Sequence, residues 1–278
     1  MKPYNWMVAY TPQTDWIKGG GAIVWLSFFT GLFGSGAYLA SLYFDSLTGM
    51  IVSWLIVAVL KGGLHVGHAK RPLRLWRMVL KVRTSWIARG TVFTALFAFF
   101  GAIQIILSYE AAGTPTEITF KVLTAIFALA VMVYEGFTIN YVSGIPFWNS
   151  SLLPATLISW GLSGGLALVS VVVSDGGDMT SLTKASRIAL IVTAALTVLY
   201  LWNALYAGSA SKESMKEMVG GALFWVAVVL IGMVVPLVML LGGALAPSSA
   251  IAFLVCEIVG GLSFTHGVLK SGVYRPLI

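Results

Sequence analysis

The feature that most constrains this chain is a recurring apolar run of about 20 residues, long enough to cross a bilayer as a helix. Eight such runs follow one another, at roughly 20–44, 47–68, 85–109, 118–143, 150–173, 184–207, 217–242 and 248–270. In hydrocarbon the backbone has no water to bond, so an apolar run of this length satisfies itself as a helix. Composition agrees: 58% of the 278 residues are hydrophobic and 10% are charged, too few polar groups to cover a soluble core of this size. The expected fold is all-α, a polytopic integral membrane bundle of eight transmembrane helices making one membrane domain over 1–278. The first residues, "MKPYNWMVAYTPQTDWIKGGG", are polar and aromatic. They lack the short apolar core and small-residue cleavage site of a secretory signal.

Connections between the runs are short, so neighbouring helices are expected as antiparallel hairpins. Small residues recur in "GLFGSGA", "GLSGGLA" and "EIVGGLS". They are read as points of close helix approach.

Cysteine usage limits the chemistry. Cys256, inside the last run, is the single cysteine. One thiol cannot hold an iron–sulfur cluster, build a zinc site or close an internal disulfide. No metal site, iron–sulfur cluster or molybdenum is expected in this chain. Any redox centre it serves belongs to a partner or is a mobile organic cofactor. The net charge of +7 sits in loops, where it serves topology, anionic lipid or an acidic partner rather than nucleic acid.

The basic residues gather in "LHVGHAKRPLRLWRMVLKVRTSWIARG", Leu64 to Gly90, which holds seven of the 17 Lys and Arg and no acid. Beyond Pro72, a favourable first helical residue, Leu73, Trp76 and Leu80 recur at i, i+3 and i+7. Arg74, Arg77 and Lys81 repeat that spacing beside them. The pattern predicts a short amphipathic helix on the membrane surface between helices 2 and 3. It can anchor on lipid, or Arg71, Arg74, Arg77, Lys81 and Arg83 can dock an acidic partner. If the termini and the even-numbered loops share one face, that face carries thirteen basic residues, Lys2 among them, against three on the other. The bias assigns the termini to the cytoplasm.

Three ionisable residues lie inside runs: Lys61, Glu135 and Glu257. Charges at membrane depth are costly, so each is a candidate for function or for pairing. By helical rise, Lys61 is about 10 Å and Glu135 about 12 Å from the basic face. Lys61, His65 and His68 recur at i, i+4 and i+7 and share one helix face. A histidine titrates near neutrality and can exchange a proton at a membrane surface. Such a face suits a quinone oxygen, with Lys61, Glu135 and Glu257 as a proton relay behind it. Tyr134, beside Glu135, can bond a carbonyl while its ring lines an apolar pocket. A haem b needs axial histidines. His68 and His266 allow one at most, and the residues favour a quinone over haem.

The segments "HAKRPLRLW…RTSWIARG" and "VYEGFTINYVSGIPFWNSSLLPATLISWGLSGGLAL" resemble the helix 2–3 loop and the helix 4–5 region of NrfD-like proteins. These are the membrane subunits of polysulfide reductase and related molybdenum enzymes, with the dimethyl sulfoxide reductase anchor a distant cousin. The resemblance implies an eight-helix subunit that binds menaquinone or ubiquinone near one face. It also implies electron exchange with a docked ferredoxin-like iron–sulfur subunit and, through that, a molybdopterin catalytic subunit. By position His68 matches the family's quinone-site histidine, Tyr134 its helix-four tyrosine, and Glu257 an acidic position in helix eight. Ala69 and Lys70 follow His68 where the family has Leu-Gly, so His65 stays an alternative.

The reading is therefore a quinone-reactive anchor of an oxidoreductase in the cytoplasmic membrane of a prokaryote. Its pocket is expected in spans one to four at the basic face, with partners docked on the cytoplasmic side. The competing expectation is a proton-coupled secondary transporter using Lys61, Glu135 and Glu257.

Overall fold

The computed structural model describes residues 13–173, 178–243 and 245–275. Lys2 and most of the polar, aromatic N-terminal stretch lie outside the described residues. Among the described residues there are helices and connecting turns but no strand. Eight helices are long and apolar enough to span a bilayer. They are α1 (Gly20–Tyr43), α2 (Leu47–His68), α3 (Trp86–Glu110), α4 (Pro115–Asn140), α5 (Leu152–Val172), α6 (Met179–Tyr206), α7 (Phe224–Leu241) and α8 (Pro247–Lys270). The chain is a polytopic membrane helical bundle. Large apolar side chains such as Phe99, Ile126, Ile188 and Val238 point outward, as a lipid-facing surface requires.

Helix ends follow local chemistry. Ser46 accepts from Gly49 N at 3.2 Å, Ser85 from Ala88 N at 3.3 Å, Thr114 from Glu117 N at 3.3 Å and Asp178 from Ser181 N at 3.0 Å. Each occupies an orphaned amide at a helix start. The Thr114 cap and Pro115 start α4 three residues before the apolar run. This requires burying Glu117, and Ser108 Oγ at 2.5 Å and Lys121 Nζ at 2.9 Å accompany its carboxylate. The seventh span begins at Phe224 rather than near 217. Residues 217–220 belong to a separate connecting helix, Ser209–Gly220, that ends at the Gly220–Gly221 pair. Both α2 and α7 widen into π-helix, over Leu55–Lys61 and Phe224–Val234. In α7 Pro236 cannot donate to the turn before it, and the widened segment leads into it.

α1 packs on α2 and α4, and α3 packs on α4; α5 packs on α6 and α8, and α7 on α8. The two groups meet along α1 and α5, the most enclosed helices. A Cβ at Gly161 would lie 2.7 Å from the Leu32 carbonyl oxygen, so a larger residue would force α1 and α5 apart. The connection from 141 to 151 is built inward. Trp148 is fully buried and donates to the Val268 carbonyl at 2.7 Å, and Tyr200 donates to that of Phe147 at 2.8 Å.

The basic loop forms a 3-10 helix, Pro72–Lys81. Its threefold repeat turns Leu75 and Met78 toward the bundle, and leaves Leu73, Trp76 and Leu80 facing out. Arg71, Arg74, Arg77, Lys81 and Arg83 are exposed. Arg89 instead fastens the end of the loop, donating to the carbonyls of Val82 and Arg83 at 2.9 Å each.

Candidate functional site

The site is built where the start of α1, the end of α2, the start of α3 and the last turns of α4 converge, below the 3-10 helix. One turn separates Lys61 from His65, and His68 follows on the same face of α2. Lys61 is 1% exposed and Glu135 is fully buried; their charges pair at 2.9 Å. Lys61 Nζ also donates to the Tyr134 hydroxyl at 3.4 Å and lies 4.9 Å from its ring centroid. His65 Nε2 lies 3.1 Å from the same hydroxyl. His65 Nδ1 lies 2.5 Å from Ser27 Oγ and 3.3 Å from the Lys61 carbonyl oxygen. The result is a polar chain, Ser27–His65–Tyr134–Lys61–Glu135, through an otherwise apolar wall.

Two glycines make the chain possible. At Gly31 a Cβ would collide with the Glu135 carboxylate and the Lys61 side chain. At Gly90 it would fall on the Tyr134 ring. Backbone approach here depends on the missing side chain.

Two cavities flank the histidines. The first, of about 460 Å³, has Ser27, His65, His68 and Tyr134 as polar lining, and Trp16, Ile23, Phe28, Leu64 and Ile87 among its apolar walls. Asp15 stands exposed at its aqueous edge. The second, of about 390 Å³, lies between α2, α3 and the 3-10 helix. Lys61, His65 and His68 line one side, Leu75 and Met78 roof it, and Thr91 to Ala98 form the far wall. His65 and His68 therefore form a partition with a chamber on each side.

A model of the family described as "Polysulphide reductase, NrfD" matches residues 17–274. The chain belongs to the NrfD family. It is 21% identical over 207 residues to the "Protein NrfD homolog" of Haemophilus influenzae (strain ATCC 51907 / DSM 11121 / KW20 / Rd), covering 63% of this chain and 64% of that protein. The chain thus spans just under two thirds of the length of that curated relative. NrfD proteins are membrane subunits of oxidoreductase complexes, and the match covers all eight helices.

Of the residues singled out from the sequence of this NrfD protein, His65, His68, Tyr134, Lys61 and Glu135 come together. His68 is exposed at the mouth, whereas His65 is half-buried within the chain of contacts. Lys61 and Glu135 lie behind Tyr134, and only Lys61 reaches a cavity wall. Glu257 stands apart, buried in α8 with the Ser163 hydroxyl of α5 beside its carboxylate. His266 packs edge-on to Trp25 at 5.1 Å and lines a separate small cavity, so His68 and His266 do not share a chamber. Among the described residues no group of three His, Cys, Asp or Glu is arranged to hold a metal. Sequence reasoning missed Ser27 and Gly90, and took Gly31, in the "GLFGSGA" run, only as a point of close helix approach and not as the place where Lys61 and Glu135 meet α1. The signal for Ser27 and Gly31 was available: they are four residues apart, hence on one face of α1.

Proposed function

We propose that this chain is the quinone-reactive membrane anchor of a molybdopterin/iron–sulfur oxidoreductase complex, and that the first cavity receives the headgroup of menaquinone or ubiquinone. The observation that carries this reading is an apolar chamber whose few polar groups converge at one end and continue into a buried hydrogen-bonded chain. A quinone ring needs apolar walls, a donor at a carbonyl oxygen and a route for protons. Phe28, Leu64 and Ile87 supply the walls, and His68 and His65 supply the donors. When bound, a quinone supplies reversible two-electron, two-proton chemistry.

The protein's own part is to hold and move the protons. With its proton on Nδ1, His65 donates toward Ser27 Oγ and the Lys61 carbonyl, and its Nε2 accepts from the Tyr134 hydroxyl. Tyr134 in turn accepts from Lys61 Nζ, whose charge Glu135 balances. With the proton on Nε2 instead, the His65–Tyr134 bond reverses direction. His65 can thus exchange a proton at the cavity wall while the ion pair keeps the chain polarised. His68, at the mouth, orients the headgroup oxygen. Glu257, buried in α8, lies off this chain and is given no step in the proposed route.

Arg71, Arg74, Arg77, Lys81 and Arg83 on the exposed loop suit an acidic docking face on a ferredoxin-like iron–sulfur subunit. That subunit would pass electrons between the cavity and a molybdopterin catalytic subunit. The charge bias favours cytoplasmic termini, and cytoplasmic docking, in a prokaryotic inner membrane. The test is His65→Ala and His68→Ala in the assembled complex. Quinone-coupled turnover should fall at least about 10²-fold, the lower end of the range for losing an acid–base group, while dye-linked turnover persists. Unchanged quinone kinetics in both variants would sink the proposal.

A further inference from the structure

A second polar chain enters the same group of helices from the face opposite the basic loop. Asp45, 81% exposed just past the end of α1, marks that face, and its carboxylate pairs with Lys121 at 3.0 Å. Lys121 also pairs with the buried Glu117 at 2.9 Å. Ser108 donates to Glu117 Oε1 at 2.5 Å, and Gln104 Nε2 donates to Ser108 Oγ at 2.7 Å. The Tyr38 hydroxyl donates to Gln104 Oε1. Tyr38, Gln104 and Glu117 are each within 1% of complete burial. Polar and ionisable groups at such depth are costly and mark a function by default.

The two chains lie on one stripe of α1. Ser27 meets His65, Gly31 lies against Glu135 and Lys61, and Tyr38 opens the second chain. With Ser35 between them, these positions recur at i, i+4, i+8 and i+11 and share a helix face. Ser35 is fully buried, and its hydroxyl has no hydrogen-bond partner. Buried hydroxyls are nearly always bonded, so an unpaired one at this point of the stripe needs a reason. Successive positions are about 4.5–6 Å apart along the helix axis, intervals that a single water bridges. A network that only held helices together would close on itself; this one points from an aqueous face toward the Lys61–Glu135 pair.

We infer that the two chains are halves of one proton route across the membrane, joined at Ser35, so that the chamber exchanges its protons with the face opposite the docked subunits. The inference rests on the quinone reading of the first cavity. Every donor in the second chain points toward Glu117. A proton leaving along it passes from the Tyr38 hydroxyl to Gln104 Oε1, from Gln104 Nε2 to Ser108, and from Ser108 to the Glu117 carboxylate. Glu117 then releases it to water beside Lys121 and Asp45. Rotation of the hydroxyls and of the amide reverses the line for entry. For each quinone reduced, two electrons arrive from the iron–sulfur subunit at the basic face and two protons enter through Glu117; oxidation of a quinol returns both by the same routes. Electrons and protons therefore use opposite faces, and turnover separates charge.

The test uses the assembled complex in lipid vesicles that contain a natural quinone. A pH-sensitive dye fills the lumen, and valinomycin with potassium discharges the membrane potential. A reduced, membrane-impermeant viologen outside feeds only the molecules whose basic loop faces out. Quinone reduction should then remove about one lumenal proton per electron, the ratio that two-electron, two-proton chemistry sets. In Gln104→Leu, which breaks the chain between Tyr38 and Ser108, that ratio should fall toward zero, whatever fraction of the protein folds. Gln104→Glu keeps an acceptor and a transferable proton at the position and should stay within about twofold of the parent ratio. If quinone reduction itself stops in Gln104→Leu, its recovery in Gln104→Glu supports the route and its absence there overturns it. Protons taken from outside by the parent, or a ratio unmoved by Gln104→Leu, would also overturn it. Failure of the cavity reading is distinguishable: the His65 and His68 variants would then leave quinone reduction unchanged, while the lumenal ratio still reports which face supplies the protons.

Discussion

Lys61 and Glu135 provide the sharpest energetic test of the site. Both are within 1% of complete burial, their charges pair at 2.9 Å, and Tyr134 adds a hydrogen bond to the ammonium at 3.4 Å. Lys61→Met keeps the length and much of the volume of the side chain but removes the charge. Glu135 is then left buried without its cation, a loss that typically costs about 3–5 kcal/mol. Glu135→Gln leaves Lys61 in the converse position and should cost a similar amount, about 3–5 kcal/mol. The double variant removes both charges, and an ion pair replaced as a unit is often close to neutral in stability. The two single losses should therefore fail to add, with a coupling of at least about 3 kcal/mol. Unfolding of the purified protein in a titration from mild detergent to dodecyl sulfate, followed by circular dichroism, reads each value. Additive losses below about 1 kcal/mol each would show that the pair is not a desolvated unit, and the polar chain built on it would fall.

Four further outcomes follow from the geometry. Gly90→Ala places a methyl group on the Tyr134 ring and should cost about 1–3 kcal/mol in the same titration, as overpacked sites do; Gly63→Ala, facing open space, should cost nothing. Tyr134→Phe breaks the link between His65 and Lys61, and should reduce quinone-coupled turnover by about 10²-fold with dye-linked turnover kept. Glu257→Gln lies off the polar chain and should change turnover by less than about twofold, well below the effect of losing an acid–base group; a loss matching that of Tyr134→Phe would bring α8 into the proton route. Reversing Arg74, Arg77 and Lys81 to glutamate should release the partner subunits at lower salt without altering helix content, read by co-purification across an ionic-strength series.

Much of this organisation is legible in the sequence because hydrocarbon enforces simple rules. Apolar length located all eight spans, and the i, i+4, i+7 spacing put Lys61, His65 and His68 on one face before any contact was visible. Partners across helices were less legible. Nothing in the run around Lys61 selects Glu135 over Glu257, since both are single acids in apolar runs; the choice is made by Gly31, which opens α1 to the pair. Boundaries failed where polar groups are satisfied by tertiary contact. Glu117 reads as a loop residue until Ser108 and Lys121 are brought to it. The register of the basic loop depends on its 3-10 geometry, which turns Leu75 and Met78 inward and not the Leu73, Trp76 and Leu80 stripe. Glycine has two meanings that sequence cannot separate: close packing at Gly90 and open space at Gly63.

The central claim is that a quinone headgroup occupies the chamber between α1, α2, α3 and α4. Photolabelling with a ring-azido quinone, followed by peptide mapping of the complex, tests it most directly. The account predicts adducts on the peptides carrying Trp16 to Phe28 and Leu64 to His68, abolished by excess native quinone. Adducts confined to other helices, or adducts at these peptides that excess quinone does not displace, would contradict it.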